Sequence, residues 1–400
     1  MPKILFYPDN ILGSYSGVMA AREGARILSN LGYEVAYCAP IGAPVSFKFP
    51  EVKKVYQIPV HRQMNHLLSG HELAEFDAVL DDFKPNCVFY FGAAISKTAS
   101  FFESARARAV RQIGFWITSD FFCTGNYGCL RSGPCKLCIN GSYYQAILHK
   151  CSNNQAIRST LFQTILRLRL GRELKKCDVV MGSSRHQLRL FEEFGYEGSR
   201  AIHCPLFFDT KRVDGVKSEL GDYFVLYGQS RFEKGWHLLK DIADRCRGVK
   251  FVLPFGSKAQ GELAIKNNGL APLVDSGQMI PVYNVTWDTG VKEIVAASRG
   301  VLIPSIWPTT TEYTLLESLG LGKPIVAFDV GIHHEEIGDG VNGLLAPVND
   351  IENLASKIML IYSDDQLASR LGSGARELFD YLVDNKRIEQ ACESALNLTC

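Results

Sequence analysis

The sequence predicts an α/β protein made of two doubly wound parallel-sheet domains, and three observations carry that expectation. Its 400 residues exceed the ~250–300 at which a single hydrophobic core stops growing, so two domains are the default. Short apolar runs ending at glycine alternate with segments of helical apolar spacing, the pattern of strands wound by helices. Past residue 210 that pattern starts again.

Element by element, Ile4–Tyr7 is an apolar run of buried-strand type and Gly13–Gly17 a turn. Val18, Ala21, Ala25, Leu28 and Leu31 then recur at helical spacing; Gly32 stops that helix and Val35–Cys38 forms the next strand. Cys87–Phe91 and Asp178–Gly182 repeat the run of apolar residues leading to glycine. Cys204–Thr210, continued by polar residues to Gly221, is the best linker. Beyond it, Tyr223–Tyr227 reads as a strand, Gly228–Gly235 as a loop, and a helix is expected from Trp236. Further strands are expected at Val249–Leu253, Val301–Ile303 and Pro324–Phe328. The domains are therefore placed at 1–208, with a cysteine-rich insertion at about 120–155, and 209–400, whose last helix can pack back on the first domain. Ligands of open parallel sheets sit outside the carboxyl ends of the strands. Function is thus sought at Gly13–Gly17, Gly228–Gly235 and Pro304–Thr311, facing a cleft between the halves.

Composition excludes several classes. Forty-three Lys and Arg against 42 Asp and Glu leave a formal charge of +1, so binding of nucleic acid by bulk charge is not expected. No apolar run reaches the ~18 residues that span a bilayer. The opening Met1–Tyr7 is interrupted too soon by Pro8-Asp9-Asn10 for a signal peptide. A cytoplasmic protein is expected.

The most specific stretch runs from Pro304-Ser305 through Thr309-Thr310-Thr311-Glu312 and Glu317 to Gly322-Lys323-Pro324 and Ala327. It resembles the signature of retaining GT-B glycosyltransferases of family 4, P-S-x-x-x-E-x-x-x-x-x-x-x-E-A-x-A-x-G-x-P-V-x-A. Tyr227–Gly235 is similar to the family's G-R-x-x-x-E-K-G donor-phosphate loop, and Asp329–Gly331, Glu336-Ile337 and Gly340–Leu345 to the segment that follows. Asp178–Arg185 is similar to its A-D-x-V-I-x-x-S strand and turn, and Cys204–Thr210 stands where P-N-G-V-D-T usually does. The resemblance spans nearly the whole chain and is stronger in the second half. It implies two Rossmann-like domains, a nucleotide-diphosphate-sugar donor and transfer with retention to a glycan, glycolipid or small-molecule hydroxyl, as in polysaccharide biosynthesis. It implies no catalytic metal, and acceptor deprotonation assisted by the donor phosphate.

The residues themselves agree. Thr309-x-x-Glu312 has the form of a capping box, which would set a helix N-terminus after a strand and favour a diphosphate there. Alone, Lys234 would be a solvated lysine; in its loop it can neutralise a leaving nucleoside diphosphate. Glu317, flanked by Leu315, Leu316 and Leu319, is given the ribose hydroxyls by the resemblance. Glu312 reads as a capping residue before a catalyst. The donor site is placed at Gly17, Gly228, Gln229, Arg231, Lys234, the turn Thr309, Thr310, Thr311, Glu312, Tyr313, Thr314 and Leu315, and Glu317. Lys234, Arg231 and Asp120 are the candidates for catalysis, and Ser16, Asp120, Ser184 and Arg185 for the acceptor side. Gly17 either admits the diphosphate or merely turns the chain. His333-His334-Glu335-Glu336 is a poor metal set, because adjacent residues point apart. Two departures matter: Gln229 stands where the family has Arg, and Thr309 where it has the first Glu. Arg231 can replace the former. The alternative they raise is a non-catalytic GT-B module that binds nucleotide or scaffolds another glycosyltransferase.

Twelve cysteines are too dilute for a disulfide scaffold. Cys135 and Cys138 form a C-x-x-C knuckle which, with Cys129 and Cys151, could close a four-sulfur structural zinc site, Cys123 being the substitute. Free buried thiols or a redox pair are the plainer reading. A subset of family 4 proteins shows a similar cysteine-bearing insertion after an H-D-like pair, here Ser119-Asp120. In the following basic helix, Leu161, Ile165 and Leu168 mark an apolar stripe. The stripe is expected to pack on the protein's own sheet, the alternative being peripheral contact with the inner face of a membrane.

Overall fold

A computed structural model describes the chain apart from residues 10–15, 41–51, 59–69, 95–96, 119, 124–128, 131–132, 143, 150, 152–156 and 398–400. It divides into two compact units: residues 1–128, 135–209 and 383–400 form the first, and 129–134 and 210–382 the second.

The first unit is built on seven strands: β1 Lys3–Tyr7, β2 Glu34–Pro40, β3 Lys54–Ile58, β4 Cys87–Gly92, β5 Arg111–Trp116, β6 Val179–Gly182 and β7 Ala201–His203. They pair in the order β3-β2-β1-β4-β5-β6-β7, all parallel. A parallel sheet covered on both faces reads as unbroken apolar runs, and every residue of β4 is buried. Phe6, Phe89, Phe91, Phe115 and Phe207 stack or meet edge-on across one face. Helix α1, Ser16–Asn30, lies against this cluster. A Cβ on its Gly24 would fall 2.4 Å from the Phe207 ring.

Helix α2, Ile157–Leu174, corrects the expected packing of the apolar stripe. Leu161, Ile165 and Leu168 are 46, 55 and 42% exposed, whereas Leu170, Leu174 and even Arg167 are buried. Periodicity had located the stripe, but the other face of the helix packs inward. Among the described residues, no helix is long and apolar enough to cross a membrane.

Helix α3, Arg185–Phe194, follows β6. The second unit repeats the plan with β8 Tyr223–Val225, β9 Lys250–Phe255, β10 Met279–Tyr283, β11 Gly300–Ile303, β12 Ile325–Phe328 and β13 Gly343–Ala346, paired in parallel as β10-β9-β8-β11-β12-β13. The strand order reverses between β8 and β11, the crevice where sheets of this kind take ligands. No α-helix begins at Trp236; single 3₁₀ turns cover Phe232–Lys234 and Trp236–Leu238, and the α-helix starts at Leu239. Gly235, left-handed at φ +75°, separates the two turns. Helix α4, Tyr313–Gly320, follows β11. The last helix, α5, Asn385–Asn397, belongs to the first unit, where Arg111 Nη2 donates to Ala395 O at 2.9 Å.

Candidate functional site

Three loops meet at the carboxyl ends of β8, β11 and β12 in the second unit, and glycines let them meet. A Cβ on Gly235 would lie 1.8 Å from Pro304 O, and one on Gly331, at φ +57°, would lie 2.5 Å from Thr309 O. Ile306 N–H donates to Glu233 O at 3.1 Å, and Ile332 N–H to Thr309 O at 2.8 Å. Gly228 also takes a positive φ, +109°, where the chain leaves the sheet.

At this junction Lys234, Glu312 and His333 form a chain of charge. Lys234 Nζ lies 2.8 Å from Glu312 Oε2 and 4.8 Å from the centre of the Trp307 ring. Glu312 Oε1 lies 2.8 Å from His333 Nε2, and His333 Nδ1 is 3.2 Å from Phe328 O. Burial alone would push the Glu312 carboxyl up, but Lys234 and His333 overcome it and hold the group down at about 2. This corrects the expected capping box. Helix α4 has Glu312 as its N-cap by backbone position, without a side-chain cap bond, and Thr309 Oγ1 donates instead to Thr311 O at 2.8 Å. A carboxylate whose two oxygens are taken by Lys234 and His333 is not free to cap. Thr309 and Thr310 are buried, and the peptide groups of Thr311–Tyr313 lead into the helix. Arg231 is 45% exposed, its Nε 2.5 Å from Glu233 Oε1, and Gln229 lies beside it.

Glu317, also buried, pairs with Arg212 Nη2 at 2.5 Å. Arg212 stands over the rings of Trp287 and Tyr313, and Trp287 stacks on Tyr227, whose hydroxyl donates to Thr314 O at 3.1 Å. Burial pushes the Glu317 carboxyl up to about 7 against the pull of Arg212 and Tyr227. Sequence reasoning missed Trp307, Arg212 and Trp287, and weighed His333 only as part of a poor metal set. Histidine two residues past the third strand-end glycine, Gly331, was a signal for its role here; Arg212, 105 positions from its partner, offered none.

In the first unit, Ser16 is exposed and Gly17 half-buried at the start of α1. A Cβ on Gly17 would meet only Ile117 Cδ1, at 3.6 Å, so the fold does not demand glycine there. Ser184 is fully buried as the N-cap of α3, its Oγ accepting from Gln187 N–H, and Arg185 beside it is exposed. Asp120 opens a 3₁₀ turn, but its side chain lies outside the described residues, as does the turn Gly13–Tyr15. At the strand reversal between β1 and β4, sequence reasoning missed Lys97: buried, it lies 2.6 Å from Asp9 Oδ1 and donates to Phe91 O. The side chain of Cys129 is likewise outside the described residues. Its backbone pairs with Pro134 in a hairpin counted with the second unit, whereas Cys123, Cys135, Cys138 and Cys151 belong to the first.

Comparison with known proteins fits this geometry. Residues 208–378 match the family model described as Glycosyl transferases group 1. Sucrose-phosphate synthase from Thermosynechococcus elongatus superposes over 98% of both chains with a TM-score of 0.74 at 16% identity. Anabaena HepE in complex with UDP superposes over 99% of both chains with a TM-score of 0.69 at 15% identity. The fold is GT-B. The sequence also matches curated glycosyltransferases in part. It is 27% identical over 202 residues to O-antigen chain mannosyltransferase C of Escherichia coli, an alignment covering 48% of this chain and 51% of that protein. It is 33% identical over 86 residues to the poly(ribitol-phosphate) alpha-N-acetylglucosaminyltransferase of Staphylococcus aureus strain COL, 21% of this chain and 17% of that one. The alignments thus span about half or less of these curated relatives. The strand reversal that carries Lys234 and Glu312 lies inside the matched GT-B segment.

Proposed function

We propose that the protein transfers a sugar from a nucleotide-diphosphate sugar to an acceptor hydroxyl, with retention at the anomeric carbon. The observation that carries this reading is Lys234, held by Glu312 over Trp307 where the strand order reverses. There its ammonium meets the leaving diphosphate, with Arg231 as the second cation and the amides of Thr310–Thr314 as donors. Glu317 takes the ribose hydroxyls, exchanging its bond to Arg212 for them. The acceptor lies on the first unit near Ser16, Gly17, Asp120, Ser184 and Arg185, with the Asp9–Lys97 pair beside it. Because Anabaena HepE has been seen with UDP and UDP-glucose, a UDP-sugar is the first donor to test. A glycan or glycolipid acceptor agrees with the O-antigen and poly(ribitol-phosphate) enzymes among its relatives.

Incubation with a panel of nucleotide sugars, scoring nucleotide release with and without glycan and glycolipid acceptors, tests the reading. Turnover of one donor is expected, and Lys234→Ala abolishes it. Binding of a nucleotide without any turnover would instead favour the scaffold that Gln229 and Thr309 suggest. The cysteine-bearing insertion supports a resemblance to the corresponding subset of family 4. The exposed Leu161, Ile165 and Leu168, in a helix whose sequence also holds Arg167, Arg169 and Arg172, favour action at the cytoplasmic face of a membrane.

A further inference from the structure

The first unit reverses its strand order between β1 and β4, and a reversal at the carboxyl ends of parallel strands is where such sheets receive a ligand. A firmly held carboxylate stands there. Asp9, two residues past β1, has Oδ1 2.6 Å from Lys97 Nζ, and its Oδ2 accepts from Ala93 N–H at 2.7 Å. Lys97 also donates to Phe91 O at 2.6 Å and to Tyr7 O at 3.2 Å, so each of its three N–H groups has an acceptor. The ammonium thereby fastens the carboxylate to the ends of both strands.

Burial divides the pair unequally. The Lys97 side chain is 1% exposed and that of Asp9 33%, so the lysine is used up inside the fold and the carboxylate is the part that meets solvent. The backbone is shaped around it. Gly92 takes φ +113°, and a Cβ there would run into the Asp9 carboxyl group; the bond from Ala93 N–H depends on glycine at 92. Gly92 O in turn accepts from Ile117 N–H at 3.0 Å, and Ile117 Cδ1 lies 3.6 Å from the place a Cβ on Gly17 would take. Asp9 therefore belongs to the same end of the sheet as the start of α1.

We propose that Asp9 binds the acceptor directly, accepting hydrogen bonds from neutral sugar or polyol hydroxyls, with Lys97 and Gly92 as its positioning residues. This role rests on the glycosyltransferase reading and names the acceptor's chemistry at this point. A carboxylate only accepts hydrogen bonds, so it pairs with hydroxyl donors and repels a phosphate or carboxylate brought to the same place. Bonds from hydroxyls to a charged oxygen are roughly twice as strong as neutral ones. Both oxygens are fixed before the ligand arrives, so little ordering remains to oppose binding. The end of the acceptor that enters the first unit is thus uncharged, and any anionic part of a glycolipid or polyol-phosphate chain lies away from Asp9. The two strand reversals divide the work: the Lys234 ammonium serves the diphosphate, and the Asp9 carboxylate serves hydroxyls.

The test takes the full chain and follows UDP by calorimetry and four neutral probes by saturation-transfer NMR: the methyl glycosides of glucose, galactose and mannose, and ribitol. The parent should bind UDP and at least one neutral probe. Asp9→Asn should weaken that probe by about fivefold or more, the scale of one lost charge-assisted bond, and leave UDP affinity unchanged. Because Asp9→Asn strands a buried ammonium, Asp9→Asn/Lys97→Met is the second arm. It removes both charges together and should lose the probe as the single variant does. Probe binding at the parental level in the double variant would make Asp9 no more than the counter-ion of Lys97 and overturns the proposal. A parent that binds UDP but none of the four probes overturns it as well. A parent that binds no nucleoside diphosphate fails the glycosyltransferase reading itself and takes this role with it, a result distinct from loss of the neutral probe alone.

Discussion

Replacing Lys234 by alanine should weaken nucleoside-diphosphate binding by more than one lost contact. The ammonium is 2.8 Å from Glu312, and the two side chains are 23 and 8% exposed, so both charges act in a partly desolvated setting. Losing a charge-assisted bond to phosphate costs ~1.5–3 kcal/mol. The substitution also leaves Glu312 with His333 as its remaining side-chain partner. A carboxylate ~7 Å from a phosphate, at an effective dielectric of ~20, repels it by ~2 kcal/mol before that remaining compensation. The two effects together suggest ~3 kcal/mol, about 150-fold in Kd. The double variant Lys234→Ala/Glu312→Gln should recover ~1 kcal/mol, because it removes the repulsion but not the lost bond. Titration calorimetry of parent, single and double variants with UDP, GDP and ADP measures all three quantities. If Lys234→Ala binds within twofold of the parent, or the double variant binds more weakly than the single, the charge-chain reasoning is wrong.

The raised Glu317 carboxyl gives a pH signature. At about 7 in the free protein, its ionised fraction climbs from ~10% at pH 6 to ~90% at pH 8. The ionised form is the better acceptor for ribose hydroxyls, so nucleotide affinity should rise several-fold over that window. Glu317→Gln should leave only the nucleotide's own titration; an unchanged pH profile in that variant would separate Glu317 from the ribose. Gly235→Ala and Gly17→Ala should behave oppositely. The first places a Cβ 1.8 Å from Pro304 O at a left-handed φ and should cost ~3 kcal/mol or more in urea unfolding. The second meets an atom only at 3.6 Å and should melt like the parent yet lose transfer activity; full activity would reduce Gly17 to a turn residue. Finally, Leu161→Ser with Ile165→Ser and Leu168→Ser should keep the fold and reduce co-sedimentation with anionic vesicles. Equal sedimentation would remove the membrane role of this face.

What the sequence made legible was whatever depends on neighbours along the chain. Tyr223–Val225 followed by Gly228–Gly235, and Gly300–Ile303 followed by Pro304–Thr311, are local strand-to-loop patterns, and both appear at the strand reversal. What stayed hidden depended on a choice among partners distant in sequence. Thr309-x-x-Glu312 satisfied the spacing of a capping box, yet Glu312 binds Lys234 and His333, 78 and 21 positions away. A buried carboxylate gains more from the Lys234 ammonium and the His333 ring together than from one amide. The stripe of α2 failed for a related reason: apolar period identifies a face, and only the surface it meets decides whether that face turns inward. Here the inward face includes Arg167, buried whole with its guanidinium, which no apolar period could have announced.

The same charge chain explains how a phosphate site tolerates a buried carboxylate. Phe328 O can only accept a hydrogen bond, and so can an ionised Glu312. His333 brings one ring nitrogen 2.8 Å from Glu312 Oε1 and the other 3.2 Å from Phe328 O, so the carboxylate is held on the oxygen that Lys234 does not use. Lys234 holds the other oxygen at 2.8 Å. Glu312 thus has both oxygens occupied and fixes the ammonium in place, leaving the remaining Lys234 donors for the diphosphate. An apolar residue at 333 would leave one oxygen of a buried carboxylate without that partner and loosen the anchor of Lys234. The missing Arg at 229 matters less in such an arrangement, because Arg231 stands two residues on with its side chain 45% exposed.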